Sequence, residues 1–301
     1  MKVLVSGGTG FVGSSLVREL QAADNSCMVL SRTPERRLKL PDQVTFHRWD
    51  ARAVEPLADL MEEADAVVHL AGESIGAGRW TAGRKRQILD SRVASTQAMT
   101  AALLQAQGPP RVFVQASAVG FYGPGDDQVV TEEAPPGNDF LAQVCQEWEA
   151  ASLEVEKRGV RRIVARTGIV LSASGGALSR MALPFKLFAG GPAGSGRQWM
   201  PWIHLADEVG ALCFLLEHED ARGPFNLAAP NPVTNREFSG ALGQALHRPS
   251  LLPAPALALR LALGEMADLI LTGQRAVPDR LLELGYKFRY PDLESALQEI
   301  Y

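Results

Sequence analysis

The sequence predicts an α/β fold in which a doubly wound parallel β-sheet carries a smaller, mostly helical C-terminal region. Short runs rich in β-branched residues alternate with longer helical patterns through the first half of the chain, which is typical of βαβ units. A glycine-rich turn follows the first of these runs and leads into a helical pattern. The chain has 301 residues, of which 46% are hydrophobic, so it can bury a core larger than that of one average domain.

Most of the predicted strands lie in the first 168 residues. Their expected bounds are Lys2–Ser6, Cys27–Ser31, Val44–Trp49, Ala66–Ala71, Val112–Ala116 and Ile163–Arg166. Helices are expected between them, at Ser14–Ala23, Leu57–Glu63, Ala82–Gln105 and Phe140–Lys157. After a glycine-rich stretch, a strand at Trp199–His204, a helix at Ala206–Glu217 and a strand at Pro224–Ala228 indicate that the chain returns to the sheet.

Charge and cysteine content argue against several classes of protein. The formal net charge is −4 and the isoelectric point is near 5.8, so the chain has no general attraction to nucleic acid or to an anionic membrane. Its three cysteines are far apart and lack the spacing of a metal site, which favours a reducing compartment and predicts no bound metal. The glycine turn at residue 7 leaves no room for the apolar segment of a signal peptide, and residues 254–271 contain three charged side chains. We therefore expect a cytoplasmic protein without a membrane span.

The segment Gly7–Gly13 reads GGTGFVG and lies between a predicted strand and a predicted helix. Glycines allow the tight turn and let backbone amides approach a pyrophosphate, while the helix N-terminus adds a favourable partial charge. This context favours a Rossmann-type dinucleotide site over a chance glycine turn. The residues of this loop that are predicted to contact the cofactor are Gly7, Thr9, Gly10, Phe11, Val12 and Gly13.

The end of the second strand indicates which dinucleotide is bound. Proteins that prefer NAD usually have an acidic residue there, which binds the ribose hydroxyls. Here the strand ends with Ser31 and Arg32, and Arg36 and Arg37 follow closely. A hydroxyl and a guanidinium suit a 2′-phosphate, so NADP(H) is favoured over NAD(H). The alternative is that these arginines form a solvated surface cluster.

These observations predict a division of the chain into two parts. Residues 1–168 are expected to form an NADP-binding Rossmann domain, to which residues 199–228 return. Residues 169–198 and 229–301 are expected to form the substrate-side region. No exposed heptad or apolar stripe indicates an interface, so the sequence leaves a homo-oligomer open.

Several segments resemble the extended short-chain dehydrogenase/reductases, a group that includes sugar-nucleotide epimerases. They are the GGTGFVG loop, Val67–Gly72 and Ala116–Ser117. Other segments are similar to the atypical, epimerase-like oxidoreductase subgroup, namely Ala71–Ile75, Arg79–Thr81, Ser91–Val93, Ser117–Gly123 and Trp202–His204. The tail resembles the short C-terminal domain of unknown function in that subgroup, through Leu263–Met266, Gln274–Pro278 and Gly285–Pro291. The resemblance thus spans nearly the whole chain.

The resemblance implies further cofactor contacts along the same edge of the sheet. An acidic residue after the third strand touches adenine in the family, and Asp50 is its expected counterpart, with a turn or helix-capping role as the alternative. The other residues that the resemblance assigns to the cofactor are Leu70, Ala71, Gly72, Ala116, Arg166, Thr167 and Gly168. Thr167 and Gly168 are expected on the nicotinamide side.

Typical relatives use a serine to bind the substrate oxygen, and a tyrosine whose pKa is lowered by a lysine four residues later. Ser117 occupies the serine position. The tyrosine and lysine are absent, because the corresponding helix has Phe140 or Leu141 followed by Val144 or Cys145. Tyr122 is a candidate proton donor if a cation lowers its pKa, and the candidate cations are Arg79, Lys186 and Arg92. Cys145 is either a weak acid in the pocket or a core residue.

Substrate contacts are predicted from aromatic and cationic residues near the expected pocket. They are Arg79, Trp80, Trp199, His204 and Arg275. Alternatively, His204 braces the helix that follows it, Arg275 caps a helix, and the tryptophans belong to the core.

The sequence thus predicts an NADP(H)-dependent oxidoreductase that acts on an unknown small carbonyl or hydroxyl substrate without the usual Tyr–Lys pair. The alternatives are a non-catalytic NADPH-binding or sensor protein and a nucleotide-sugar epimerase or dehydratase.

Overall fold

The computed structural model describes residues 1–34 and 44–301; Arg36 and Arg37 lie outside the described residues. The described chain forms a seven-stranded sheet whose paired strands all run parallel. In chain order the strands are β1 Lys2–Ser6, β2 Ser26–Ser31, β3 Val44–Arg48, β4 Ala66–His69, β5 Val112–Ala118, β6 Arg161–Thr167 and β7 Gly223–Leu227. Their spatial order is β3-β2-β1-β4-β5-β6-β7, so the winding reverses between β1 and β4. The predicted α/β fold with a doubly wound parallel sheet is confirmed.

Helices cover both faces of this sheet and build the C-terminal region. They are α1 Phe11–Ala22, α2 Ala58–Glu63, α3 Ala82–Gln105, α4 Phe140–Ala150, α5 Leu178–Lys186, α6 Leu205–Glu217, α7 Asn235–Ala245, α8 Ala256–Leu263, α9 Asp268–Leu271, α10 Asp279–Glu283 and α11 Leu293–Ile300. Short 3-10 turns occur at Glu55–Leu57, Val119–Tyr122, Leu153–Arg158 and Gly264–Ala267.

Alternation along the strands divides the core between the two faces of the sheet, because successive side chains of a strand point to opposite sides. On β1, Val3 and Val5 pack with Leu16 of α1 and Leu212 of α6. Leu4 belongs to the other core, together with residues of α2 and α3. Burial on both faces explains why the strands are continuous apolar runs in the sequence.

The predicted helix Phe140–Lys157 is interrupted in the structure. α4 ends at Ala150, and a 3-10 turn at Leu153–Arg158 follows. The N–H of Val155 donates to the carbonyl of Ser152 three residues earlier, so the α-helical ladder does not continue beyond α4. The carbonyl of Ala151 accepts a hydrogen bond from the Thr100 hydroxyl at 3.1 Å.

The prediction of one sheet strand over Trp199–His204 is wrong. The segment forms two short strands outside the seven-stranded sheet, Trp199–Met200 paired with Val233–Thr234 and Trp202–His204 paired with Ile169–Leu171. Pro201 separates them, because proline has no N–H to donate to a ladder. Only β7 returns to the central sheet.

The C-terminal region has its own apolar core. Trp202 is fully buried in this core, which includes Phe185 of α5, Phe238 of α7 and Leu297 of α11. A further short pair joins Val129–Val130 to Arg275–Ala276. Within residues 1–34 and 44–301, no helix has both the length and the apolar character needed to cross a lipid bilayer.

Candidate cofactor and substrate site

The glycine loop forms a tight cradle at the carboxyl end of β1. Gly7 has φ of +72°, and a Cβ on it would lie 2.8 Å from the carbonyl carbon of Leu70. A Cβ on Gly13 would lie 2.2 Å from the carbonyl oxygen of Gly7, so neither position accommodates a side chain. Gly10 precedes α1, and no described side chain caps the helix there. The first amides of α1 are therefore free to bind an anion such as a pyrophosphate.

Phe11 connects this cradle to the substrate-side region. A Cβ on Gly175 would lie 2.9 Å from Cδ2 of the Phe11 ring, and one on Gly176 would lie 2.8 Å from Cε1. Gly176 also has φ of +75°. The loop that follows strand Ile169–Leu171 thus fits against the start of α1 because it contains two glycines, a contact that the sequence analysis did not predict.

The end of β2 combines a buried hydroxyl with an exposed guanidinium. Ser31 is buried and accepts a hydrogen bond from the backbone N–H of Thr33 at 3.2 Å. Arg32 is 76% exposed, and its Nη1 lies 3.6 Å from Oε1 of Glu73. The other oxygen of Glu73 lies 3.7 Å from Nη1 of Arg84, so one carboxylate stands between two guanidiniums. The pair of Arg32 with Glu73 is exposed and therefore weak, so an anionic ligand can displace it.

Asp50 has the alternative role that the sequence left open. Its Oδ1 accepts hydrogen bonds from the backbone N–H groups of Arg52 and Ala53 at 2.8 and 2.9 Å, and these bonds lower its pKa. The carboxylate thus stabilises the turn after β3. A contact of Asp50 with adenine stays a prediction.

β4 ends in a buried histidine, and the residues that follow it are those that the resemblance assigns to the cofactor. His69 contacts the hydroxyls of Ser6 at 2.5 Å and Ser95 at 3.1 Å, and burial lowers its pKa to about 3, so it is neutral. It ties β1 to α3. The next residues lie at the edge of the sheet, where the N–H of Leu70 donates to the carbonyl of Ser6. Ala71 and Gly72 continue from there.

Ser117 belongs to a buried polar network on the α4 face of the sheet. Its hydroxyl donates to Oε1 of Glu149 at 2.6 Å. The same carboxylate receives two hydrogen bonds of 2.9 Å from the guanidinium of Arg166. Arg166 also donates to the Tyr122 hydroxyl at 3.0 Å, and Tyr122 donates to Oδ1 of Asn226 at 2.7 Å. The side chain of Arg166 is thus engaged inside the protein, and a cofactor contact by this residue stays a prediction.

The cation beside Tyr122 is Arg166, and not one of the three basic residues considered from the sequence. Burial raises the pKa of Tyr122, and the opposing effect of Arg166 does not cancel it. The phenol therefore stays protonated near neutral pH and serves as a hydrogen-bond donor to Asn226. This geometry favours a structural role for Tyr122, and its role as proton donor stays a prediction.

α4 presents an apolar surface at the positions where a tyrosine and a lysine are expected. The Phe140 ring packs against Trp80 with centroids 5.3 Å apart, and Val144 joins the same cluster. Cys145 is buried beside Ser117, and its thiol donates to the carbonyl of Ala118. Burial raises the pKa of this thiol to about 11, so it is not an acid that titrates near neutrality.

A second buried polar pair lies on the opposite face, at the end of β6. The hydroxyl of Thr167 donates to Oε1 of Glu208 at 2.8 Å. Burial raises the pKa of Glu208 to about 8, and its Oε2 has no hydrogen-bond partner among the described residues. Gly168 is confined, since a Cβ on it would lie 2.5 Å from the carbonyl oxygen of Pro201. Ala116 lies on this face of β5, because it alternates with Ser117.

The predicted substrate residues fall into separate places. Trp199 donates to Oδ1 of Asp127 at 2.9 Å, and the Arg275 guanidinium lies 4.5 Å from its ring. Trp80 donates to the carbonyl of Ile75, while Arg79 lies beside Gly264. The structure thus brings Trp199 and Arg275 together.

His204 lies at the start of α6. Its Nδ1 accepts the N–H of Ala206 at 3.2 Å, and its Nε2 lies 3.0 Å from Oε2 of Glu299 on α11. The ring also stacks near Tyr290 at a centroid distance of 4.2 Å. This geometry matches the alternative role of bracing the helix, and a substrate contact stays a prediction.

Sequence reasoning missed the carboxylates that organise this region, Glu73, Glu149 and Glu208. Glu149 follows Cys145 by four residues and therefore lies on the buried side of α4, where an ionisable group needs a partner. That spacing was the available signal for a buried ion pair. The partner itself is on β6, and no local pattern identifies it.

Comparisons with known proteins agree with this architecture. Residues 3–228 match the NAD dependent epimerase/dehydratase family, and residues 254–300 match a domain of unknown function, DUF1731. Epimerase family protein ML0860 of Mycobacterium leprae is 42% identical over 98% of this chain and 94% of its own length. Epimerase family protein SDR39U1 of Bos taurus is 39% identical over 100% of this chain and 99% of its own.

A solved structure extends the likeness to three dimensions. The crystal structure of human epimerase family protein SDR39U1 with NADPH has a TM-score of 0.88 and 35% identity, and the match covers 100% of this chain and 99% of that one. The resemblance to extended short-chain dehydrogenase/reductases is thereby confirmed. The chain belongs to the NAD dependent epimerase/dehydratase family and carries the DUF1731 domain in its C-terminal region.

Proposed function

We propose that the protein is an NADP(H)-dependent oxidoreductase that acts on a small carbonyl or hydroxyl substrate without a Tyr–Lys pair. The observation that carries this proposal is the start of α1, where glycine residues form a close backbone cradle and no described side chain caps the first turn. Human SDR39U1, a relative over the whole chain, was crystallised with NADPH. Bound NADPH would supply the hydride.

Different residues of this chain bind different parts of the cofactor. The amides of Phe11 and Val12 in the first turn of α1 bind the pyrophosphate, and Arg32 binds the 2′-phosphate at the end of β2. β2 ends in Ser31, so the acidic side chain that binds the ribose hydroxyls in an NAD site is absent from this strand end. Thr167 and Gly168 lie on the nicotinamide side.

Ser117 is the residue of the chain best suited to contact the substrate oxygen. It lies near the carboxyl end of β5, where ligands bind in open α/β sheets. Its proton is directed to Glu149, so its lone pairs remain available to accept a hydrogen bond from a substrate hydroxyl. Arg166 fixes the carboxylate of Glu149 by two hydrogen bonds and is itself hydrogen-bonded to the Tyr122 hydroxyl.

The first experiment is calorimetric titration of the cofactor-free protein with NADPH and with NADH. We expect Arg32→Ala to weaken NADPH binding by about 10- to 100-fold, because a charge-assisted contact to the 2′-phosphate is lost. NADH affinity should change by less than about threefold. The matched control is Arg86→Ala, which removes an exposed arginine from α3.

Two results would contradict this cofactor assignment. If the wild-type protein binds neither nucleotide, the proposed function fails. If Arg32→Ala weakens NADPH and NADH equally, the 2′-phosphate is bound elsewhere.

A second candidate is a non-catalytic NADPH-binding or sensor protein. It is favoured by the hydroxyls of Ser117 and Tyr122, which are both buried and already hydrogen-bonded, and by an α4 surface without a proton donor. Oxidation of NADPH in the presence of a broad panel of carbonyl compounds separates the two. Turnover with any of them supports the enzyme, whereas tight binding without turnover supports the sensor.

A further inference from the structure

Arg92 lies in the middle of α3, and its side chain extends to the segment that follows β4. Its guanidinium is 4.9 Å from the ring centroid of Trp148 on α4. It also lies near Gly72, where a Cβ would lie 3.4 Å from the guanidinium carbon. Contact with an aromatic ring and with the backbone that follows β4 restricts the orientation of the guanidinium.

Only part of this guanidinium is used by the protein. Nη1 donates to the carbonyl oxygens of Glu73 and Ile88 at 3.0 and 3.1 Å. Nε and Nη2 make no hydrogen bond within the described residues. A Cβ on Gly72 would lie 3.5 Å from Nη2. Two adjacent N–H donors of Arg92 are thus without a protein partner among the described residues, and Gly72 beside Nη2 is exposed.

Arg92 lies near the part of α4 where typical relatives carry their lysine. Arg92 lies against Trp148, which follows Cys145 by three residues on α4, and Cys145 is one of the two positions at which typical relatives carry their lysine. Burial lowers the pKa of Arg92, but an arginine remains charged near neutral pH. A cation on α3 therefore lies beside the part of α4 from which the lysine is absent.

We propose that Arg92 takes the place of this missing cation and donates its free Nε–H and Nη2–H groups to the diol of the nicotinamide-side ribose. The inference rests on the proposed binding of NADP(H). The ribose is preferred to the pyrophosphate because the amides that suit the pyrophosphate are on α1, whereas α3 and α4 cover the opposite face of the sheet. A fork of two parallel donors matches two neighbouring hydroxyl oxygens.

The test compares three ligands by calorimetry: NADPH, 2′-phospho-ADP-ribose, and adenosine 2′-phosphate 5′-diphosphate. The last two differ only by the nicotinamide-side ribose. We expect Arg92→Met to weaken binding of the first two by about 10- to 100-fold, because two hydrogen bonds from a charged donor are lost. The fragment that ends at the diphosphate should lose less than about threefold.

Equal weakening of both fragments would overturn the inference, since it would indicate a phosphate contact or a general structural effect. Unchanged binding of all three would overturn it as well. Arg92→Lys is a second variant that retains the charge and the stem but lacks the fork, and we expect it to show the same order of ligands with a smaller loss. Arg86→Met on the same helix is the matched control. If the wild-type protein binds none of the ligands, the proposed function has failed, and not this inference alone.

Discussion

Two buried carboxyl groups at the carboxyl edge of the sheet have different partners. Glu149 is paired with the guanidinium of Arg166 through two hydrogen bonds of 2.9 Å. Among the described residues, Glu208 has the Thr167 hydroxyl as its one hydrogen-bond partner, and burial raises its pKa to about 8. A carboxylate without a cation is costly inside a protein, so Glu208 keeps its proton instead. The two groups flank β6 from opposite faces.

The Arg166–Glu149 pair predicts a strong and unequal response to substitution. Glu149→Gln should lower the free energy of unfolding by about 3 to 5 kcal/mol, because it leaves the buried guanidinium without its counter-charge. The double variant Glu149→Gln with Arg166→Met should lose less than the sum of the single variants. Urea unfolding near neutral pH measures both.

The control for this pair is Glu154→Gln, which breaks an exposed ion pair with Lys157 on the protein surface. It should change the free energy of unfolding by less than about 0.5 kcal/mol. Equal losses for Glu149→Gln and Glu154→Gln would show that the buried pair contributes no more than a surface pair.

Glu208 predicts a pH dependence of stability. Its pKa rises from its ordinary value of 4.5 to about 8 in the folded protein. Between these values the folded state binds a proton that the unfolded state has lost, so stability falls as pH rises, by up to about 1.4 kcal/mol per pH unit, and levels off above the folded pKa. Glu208→Gln should remove this slope.

The measurement is urea unfolding of the wild type and of Glu208→Gln across this pH range. Subtracting the two curves removes the contribution of other titrating groups such as His69. Parallel curves would show that Glu208 titrates normally in the folded state.

At the scale of elements, the contact between Phe11 and the loop at Gly175–Gly176 joins the two regions of the chain. We expect Gly176→Ala to lower the free energy of unfolding by about 1 to 3 kcal/mol, because the new Cβ meets Phe11 and the backbone has a positive φ. Adding Phe11→Ala should recover the part of the loss that is due to the clash. Thermal or urea unfolding measures each variant.

The matched control is Gly108→Ala, since a Cβ there meets nothing within 4 Å and Gly108 does not have a positive φ. A Gly176→Ala variant as stable as Gly108→Ala would mean that the loop moves away from α1 at little cost.

Elements differed in how well the sequence predicted them. β1 was predicted with its observed bounds, and β2 within one residue, because strands buried on both faces are short apolar runs between turn residues. Trp199–His204 was mispredicted because its apolar pattern masked the effect of Pro201 on strand pairing. α4 was predicted too long because the apolar pattern does not distinguish an α-helix from the short 3-10 turn that follows it.

At the scale of the whole molecule, the sequence predicted the edge of the sheet at which the glycine cradle lies, but not the side-chain contacts near it. The glycine loop is local, so GGTGFVG was enough to place the cradle at the start of α1. Ser117 was named correctly as a residue near the end of β5, yet its partner Glu149 lies 32 residues away on another element. Pairings of that kind depend on how helices pack on the sheet, which one sequence does not specify.

The central position of β1 bears on the order in which the chain folds. β1 is made before any other strand of the sheet, but it lies between β2 and β4, and β4 is made about 60 residues later. Until then one edge of an apolar strand has no partner, and such edges promote association between nascent chains. Pairings so distant along the chain also slow folding. The interval between synthesis of β1 and synthesis of β4 is therefore the period in which this unpaired edge can associate with other chains.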